Sequence, residues 1–218
     1  LKRADVVCTT TSSSASEALE SREFDICVID EATQATEPSC LIPAVKADKL
    51  VMAGDHKQLP PTILNEEAKH RGLAETLFER LVAMYGDDVK TLLKVQYRMH
   101  EKIMRFSDDE FYDGQIIADG NVRGHLLEDI IERTVENKFD EILDPSEPII
   151  LVDTKGSMKE RSKKDSTSKE NKGEALLAGE FVDGFSDMGI EDTDIGIITP
   201  YDDQKGLIKD HVERENIE

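Results

Sequence analysis

The run Phe24-Asp25-Ile26-Cys27-Val28-Ile29 leads directly into Asp30-Glu31-Ala32-Thr33-Gln34. An apolar strand that ends in two carboxylates puts them at the carboxyl edge of a parallel sheet, where the ligands of such sheets bind. In a nucleotide-hydrolysing site Asp30 would hold a magnesium ion through its water shell, and Glu31 would orient and deprotonate the attacking water. A solvated strand end uses the same two residues, so the pair alone decides nothing. A second signal follows at Leu50-Val51-Met52-Ala53-Gly54-Asp55-His56-Lys57-Gln58-Leu59-Pro60-Pro61. Gly54 permits a tight exit from a strand, and the neutral amide of Gln58 suits contact with a terminal phosphate. The bland alternative is a turn that uses Gly, Asp and Pro for their backbone preferences. A third signal is Val95-Gln96-Tyr97-Arg98-Met99-His100. An arginine that reaches a phosphate only when two lobes close supplies charge to the transition state, and Tyr97 beside it offers a ring for stacking on adenine. Taken alone, Tyr-Arg at a strand end is more often packing and ion pairing.

The elements that must position these residues are strand-like runs at 4–8, 25–29, 49–53, 92–95, 149–152 and 195–198. Each is short, rich in Val, Ile and Leu, and not strictly alternating, as a strand buried on both faces should be. Helical patterns lie between several of them: Leu73, Leu77, Leu81 and Met84 form one, and Ala175, Leu176, Gly179, Phe181 and Val182 another. Strands alternating with helices predict an α/β fold with a parallel, helix-covered sheet. Two segments interrupt the pattern. Residues 119–148 form an acidic insert with a predicted helix over 126–135, and 155–172 hold seven basic and three acidic residues among Ser, Thr and Gly, the composition of a mobile loop. A boundary between lobes is expected near 86–94, dividing the chain into 1–90 and 91–218.

At 218 residues and 38% hydrophobic content the chain suffices for one large α/β domain or two modest ones. Its net charge of −20 is unevenly spread: residues 1–109 carry 14 basic and 19 acidic side chains, and 110–218 carry 13 and 28. Halves of −5 and −15 exclude a broad electrostatic grip on a polyanion, so any nucleic-acid site must be local. No run approaches a membrane span and the first residues lead into a strand-like stretch, so the sequence reads as an intracellular, cytoplasmic protein without a membrane partner, the nucleus being open to a eukaryotic source. Cys8, Cys27 and Cys40 lack the spacing of a metal knuckle and read as buried free thiols.

Taken in order, Asp-Glu-Ala-Thr-Gln, Gly-Asp-His-Lys-Gln-Leu-Pro-Pro, Gln-Tyr-Arg-Met-His and Ile198-Thr199-Pro200-Tyr201 resemble successive motifs of superfamily 1 helicases. The stretches Gly72–Leu81 and Phe111-Tyr112-Asp113-Gly114-Gln115 are similar to the up-frameshift and mu-switch-binding group in particular. The resemblance covers the chain outside the acidic insert and the basic loop. It implies two RecA-like lobes of the P-loop NTPase type, both incomplete here, with ATP and Mg2+ between them and 5′-to-3′ movement on single-stranded DNA or RNA. Carried over residue by residue, Asp30 becomes the metal carboxylate, Glu31 the water-activating base, Gln58 the phosphate sensor and Arg98 the finger. Tyr97, Gln34 and Asp55 fall among nucleotide-binding positions. Thr9, Thr10, Thr11 and Pro61 on the first lobe, with Thr199, Pro200 and Tyr201 on the second, fall where the strand's backbone is held.

Within these 218 residues there is no Gly-x-x-x-x-Gly-Lys-Ser/Thr, the loop whose amides and Lys cradle phosphates. By resemblance that loop precedes Leu1 and two later motifs follow Glu218, so the expectation is a fragment without ATPase activity of its own, whose unpaired sheet edges favour self-association. A non-catalytic nucleic-acid-binding or regulatory module is the rival reading. Intact Asp30, Glu31, Gln58 and Arg98 disfavour it, since a relic needs none of the four. A P-loop kinase or GTPase is disfavoured because it needs no Gln58 and Arg98 in this motif order.

Overall fold

A computed structural model describes residues 3–131, 142–162 and 167–212, which gather into two compact units, Leu1–Leu92 and Leu93–Glu218. In the first unit, strand β1 (Phe24–Ile29) and strand β2 (Ala47–Met52) run parallel in a register that pairs Phe24 with Ala47 and Ile29 with Met52. The crossover carries helix α1 (Glu37–Ala44), which starts with proline in its first turn, where no donor is lost. A three-residue helix α2 (Glu66–Ala68) is capped by Asn65, whose side chain accepts from the Ala68 amide. Helix α3 (Leu77–Tyr85) opens on a capping box, in which Thr76 accepts from the Glu79 amide and Glu79 accepts from the Thr76 amide. Ile29, Ala32, Cys40 and Leu77 form a buried cluster, with Cys27, Leu50, Met52 and Leu81 packed against it. That cluster covers one face of the sheet; Ile26 and Val28 on β1 and Val51 on β2 are exposed.

In the second unit, strand β3 (Val95–Gln96) pairs in parallel with strand β4 (Ile117–Ala118), joined by helix α4 (Glu101–Phe111). The exit from α4 is a tight turn with Asp113 and Gly114 both in the left-handed region, closed by Gln115 N–H donating to the Tyr112 carbonyl. Helix α5 (Lys172–Asp187) packs on helix α6 (Asp202–Val212). Asn171 caps α5 by accepting from the Gly173 and Glu174 amides.

The mixed α/β character and the parallel pairing match the sequence expectation; several individual elements do not. Residues 4–8, 149–152 and 195–198 join no sheet, and 92–95 contributes only Val95 to β3. Apolarity marks a run for burial without naming its hydrogen-bonding neighbour, and a strand exists only when paired. Ile198 and Leu151, at 98% and 94% exposed, are strand-like in sequence and uncovered in the fold. Of the helix expected over 126–135, Leu127–Asp129 is a 3-10 turn and 132–141 lie outside the described residues, as do 163–166 of the basic loop. The thiols divide: Cys40 is buried and Cys27 half-buried, but Cys8 is exposed, a correction that follows from 4–8 not forming a buried strand. No helix among the described residues is long and apolar enough to cross a membrane.

Candidate functional site

Asp30 and Glu31 leave the carboxyl end of β1 exposed to solvent. Glu31 adopts φ 51°, ψ 38°, a left-handed conformation that costs a side-chain-bearing residue energy and recurs at functional positions. The amide of Glu31 donates to Asp30 Oδ1 at 3.1 Å, and Gln34 Nε2 donates to Glu31 Oε2 at 3.1 Å. Both carboxylates and the Gln34 amide thus sit in one short exposed turn. Ala32 and Thr33 behind them are buried, which anchors the turn to the core.

The end of β2 is fastened to that turn. Ala53 N–H donates to the Ile29 carbonyl and Ala32 N–H donates to the Ala53 carbonyl, at 2.9 and 2.8 Å. The Thr33 hydroxyl then both accepts from the Asp55 amide and donates to the Asp55 carbonyl, each at 3.2 Å. Gly54 is required by this approach: a Cβ there would lie 3.0 Å from both Thr33 N and Thr33 Oγ1. Asp55 in turn accepts from the Lys57 amide at 3.0 Å and from Gln58 Nε2 at 2.9 Å. Asp30, Glu31, Gln34, Asp55 and Gln58 therefore stand on two loops tied to each other at one edge of the sheet. In the sequence Thr33 carries no chemical signal of its own beyond its place inside Asp-Glu-Ala-Thr-Gln.

The remaining first-unit candidates lie elsewhere. Thr9 and Thr10 are exposed, and Thr10 Oγ1 donates to Ser13 Oγ at 2.9 Å. The Thr11 hydroxyl is 2.7 Å from Ser39 Oγ on α1. Pro61 is buried, so its ring offers no free surface to a strand.

In the second unit Tyr97 and Arg98 are exposed on the turn after β3. The Gln96 side chain holds that turn: its Oε1 accepts from the Arg98 and Met99 amides at 2.8 and 3.0 Å, and its Nε2 donates to the Met99 carbonyl at 2.7 Å. His100 caps α4 by accepting from the Lys102 amide at Nδ1, which requires that nitrogen to be unprotonated. Arg98, Met99 and His100 border a cavity of about 510 Å3 lined mainly by Ile, Leu, Val and Phe side chains. Thr199 is half-buried, with Pro200 and Tyr201 exposed ahead of α6. Behind them the buried amide of Gln204 accepts from Asn171 N–H at 2.6 Å and donates to the Asn171 carbonyl at 3.2 Å, tying this loop to the cap of α5. Gln96 and Gln204 were also passed over in the sequence, where each reads as an ordinary motif neighbour.

Family profiles described as AAA domains match residues 73–218 and 1–66. The chain is similar to DNA-binding protein SMUBP-2 of Mesocricetus auratus, 39% identical over all of this chain and 22% of that protein. It is 41% identical to an uncharacterised ATP-dependent helicase of Methanocaldococcus jannaschii, again over its whole length and 32% of the relative. A regulator of nonsense transcripts 1 from Dictyostelium discoideum is 34% identical over 98% of the chain and 15% of its own length. The chain thus spans a third or less of these three relatives.

Proposed function

This chain belongs to the AAA-domain family of superfamily 1, up-frameshift-like helicases, and from that premise we propose that it is part of an ATP-driven motor that moves 5′ to 3′ along single-stranded DNA or RNA. The observation that carries the proposal is the pair of contacts between Thr33 and Asp55, which ties the Asp30-Glu31 turn to the loop bearing Gln58. Carboxylates that act on a water and an amide that reads the phosphate it attacks must share one frame, and that tie supports it.

In this reading the two units are RecA-like lobes. The oxygens of Asp30 suit a hard cation such as Mg2+, which when bound would screen the phosphate charge. Glu31 takes the proton of the attacking water, and Gln58 contacts the terminal phosphate. Gln34 and Asp55 hold these groups in place and border the nucleotide. Arg98, held on its turn by Gln96, supplies positive charge as the bond to the leaving group breaks, and Tyr97 offers its ring to the base. Hydroxyls at Thr9, Thr10 and Thr199, with Tyr201, grip the strand through its backbone, a mode that places without reading sequence.

The test uses the full-length protein. ATP hydrolysis should rise when single strands are added, and partial duplexes with a 5′ single-stranded tail should be unwound in preference to those with a 3′ tail. Hydrolysis indifferent to single strands would remove the motor reading. The opposite tail preference would remove only its direction.

A further inference from the structure

We propose that the two arms of a basic hairpin, 155–162 and 167–172, paired at Arg161 and Glu170, are a second contact surface for the phosphodiester backbone of single-stranded nucleic acid, continuing the Thr199–Tyr201 loop and using Lys155, Lys159, Lys169 and Lys172. The inference rests on the motor reading above, because it concerns how the strand is held.

The hairpin is built onto the loop. Arg161 and Glu170 exchange backbone hydrogen bonds at 2.8 and 2.9 Å, and Arg161 Nε pairs with the buried Glu170 carboxylate at 2.8 Å. Ser168 Oγ accepts from the Asp203 amide at 3.0 Å, at the start of α6 and two residues past Tyr201. The reciprocal bonds between Gln204 and Asn171 are a further tie, and Met158 packs against Gly173. Lys169 pairs with Glu160 at the surface, and its ammonium is held above the usual lysine range by Glu160 first and in part by the Tyr201 phenol. An exposed pair of this kind contributes little to the fold and yields readily to a phosphate.

Charge makes the loop need such a neighbour. Thr199-Pro200-Tyr201 runs straight into Asp202 and Asp203, within residues 110–218, which carry −15. A phosphate placed there meets repulsion unless cations stand close. Among the described residues Lys155, Lys159 and Lys172 are exposed and make no ion pair, and two of them stand where fold stability would choose otherwise. Lys155, at φ 50° ahead of Gly156 at 69°, occupies the left-handed corner of a turn closed by Ser157 N–H on the Thr154 carbonyl, a position suited to Asn, Asp or Gly. Lys172 is the first residue of α5, where the helix dipole disfavours a cation. Residues that break a local rule without helping the fold are the ones to expect at a binding surface.

The experiment compares the full-length protein with K155Q/K159Q/K172Q, K155R/K159R/K172R and Thr199→Val in binding oligothymidylate and oligouridylate across a salt series. Neutralising the three lysines should weaken binding about tenfold and flatten the slope of log affinity against log salt by about two, at roughly 0.7 for each lost phosphate contact. The arginine variant should bind like the native protein. Bound oligonucleotide should also protect these three lysines of the native protein from acylation, a measurement that involves no substitution. An unchanged slope, equal loss in the arginine variant, or acylation unaffected by the strand would each overturn the proposal. If Thr199→Val weakens binding while the glutamine variant does not, the hairpin inference fails and the motor reading stands. A native protein that binds neither oligonucleotide would end both.

Discussion

Glu31 is an exposed carboxylate on a left-handed residue, bonded by Gln34 and backed by buried Ala32 and Thr33. Its conformation is held by the turn's ties to β2, so substituting the side chain leaves the frame intact. In the full-length protein Glu31→Gln should keep ATP affinity within about threefold while turnover falls about a hundredfold or more, because the amide keeps the shape but cannot take a proton. Parallel loss of affinity and turnover in nucleotide-binding and steady-state assays would remove the base assignment. Arg98 differs in kind, since its side chain makes no hydrogen bond or ion pair with any described residue and its backbone is positioned by Gln96. Arg98→Ala should lower the single-turnover rate far more than it raises the ATP dissociation constant, as expected of charge that acts on the transition state. A normal single-turnover rate would end its role as the finger. Thiol chemistry belongs to this scale too: burial raises Cys27 and Cys40, and Cys40 is raised further by its neighbours Cys27 and Glu37, whereas Cys8 is exposed.

Among elements, the decisive contact is between two strand ends. Gly54 allows the β2 exit to lie against Thr33, and any larger residue must push the Thr33 backbone back by a few tenths of an ångström. Gly54→Ala should destabilise the first unit by about 1–3 kcal/mol, the usual cost of overpacking a close approach, and should depress turnover by loosening the Thr33–Asp55 pair. A thermal melt and a rate identical to the native protein's would show that the tie is incidental. The helices were more legible than the strands. Leu77, Leu81 and Met84 recur at helical spacing, and Thr76 with Glu79 supplies a start signal of the kind that marks a helix by local chemistry alone. Runs such as 149–152 and 195–198 carry no comparable signal, because a strand's partner lies far away along the chain.

At the scale of the whole molecule, charge and the motifs present in the 218 residues set the expectations. The −20 balance leaves few cations for phosphates, so native strand binding should show a modest salt slope even with the hairpin engaged. The 218 residues contain no Gly-x-x-x-x-Gly-Lys-Ser/Thr, so nothing recognisable in them offsets the repulsion between the Asp30-Glu31 carboxylates and a nucleotide's phosphates. Purified by itself, the chain should bind ATP at about millimolar strength or weaker and release no phosphate above the level of its Glu31→Gln control. Calorimetry and phosphate release would check this. Tight Mg2+-dependent binding would mean that other residues of this chain form the cradle.

The order and spacing of Asp30-Glu31, Gly54 to Pro61, Tyr97-Arg98 and Thr199 to Tyr201 were enough to indicate the family, because motifs are local in sequence and carry their chemistry in side-chain type. Local signals also marked α3 and α5, since helical spacing and caps are settled within a few residues. The tertiary structure decided what depends on distant partners: that Thr33 joins the two first-unit motifs, that Gln96 and Gln204 hold the turns bearing Arg98 and Tyr201, that Pro61 is buried and Cys8 is not. It also fastened residues 167–171 of a basic segment, expected from composition to be a loop, to the start of α6 through Ser168 and Asn171. Residue types indicate which groups are able to bond; only the folded chain brings residue 33 to residue 55, or 171 to 204, and so chooses among the partners each has available.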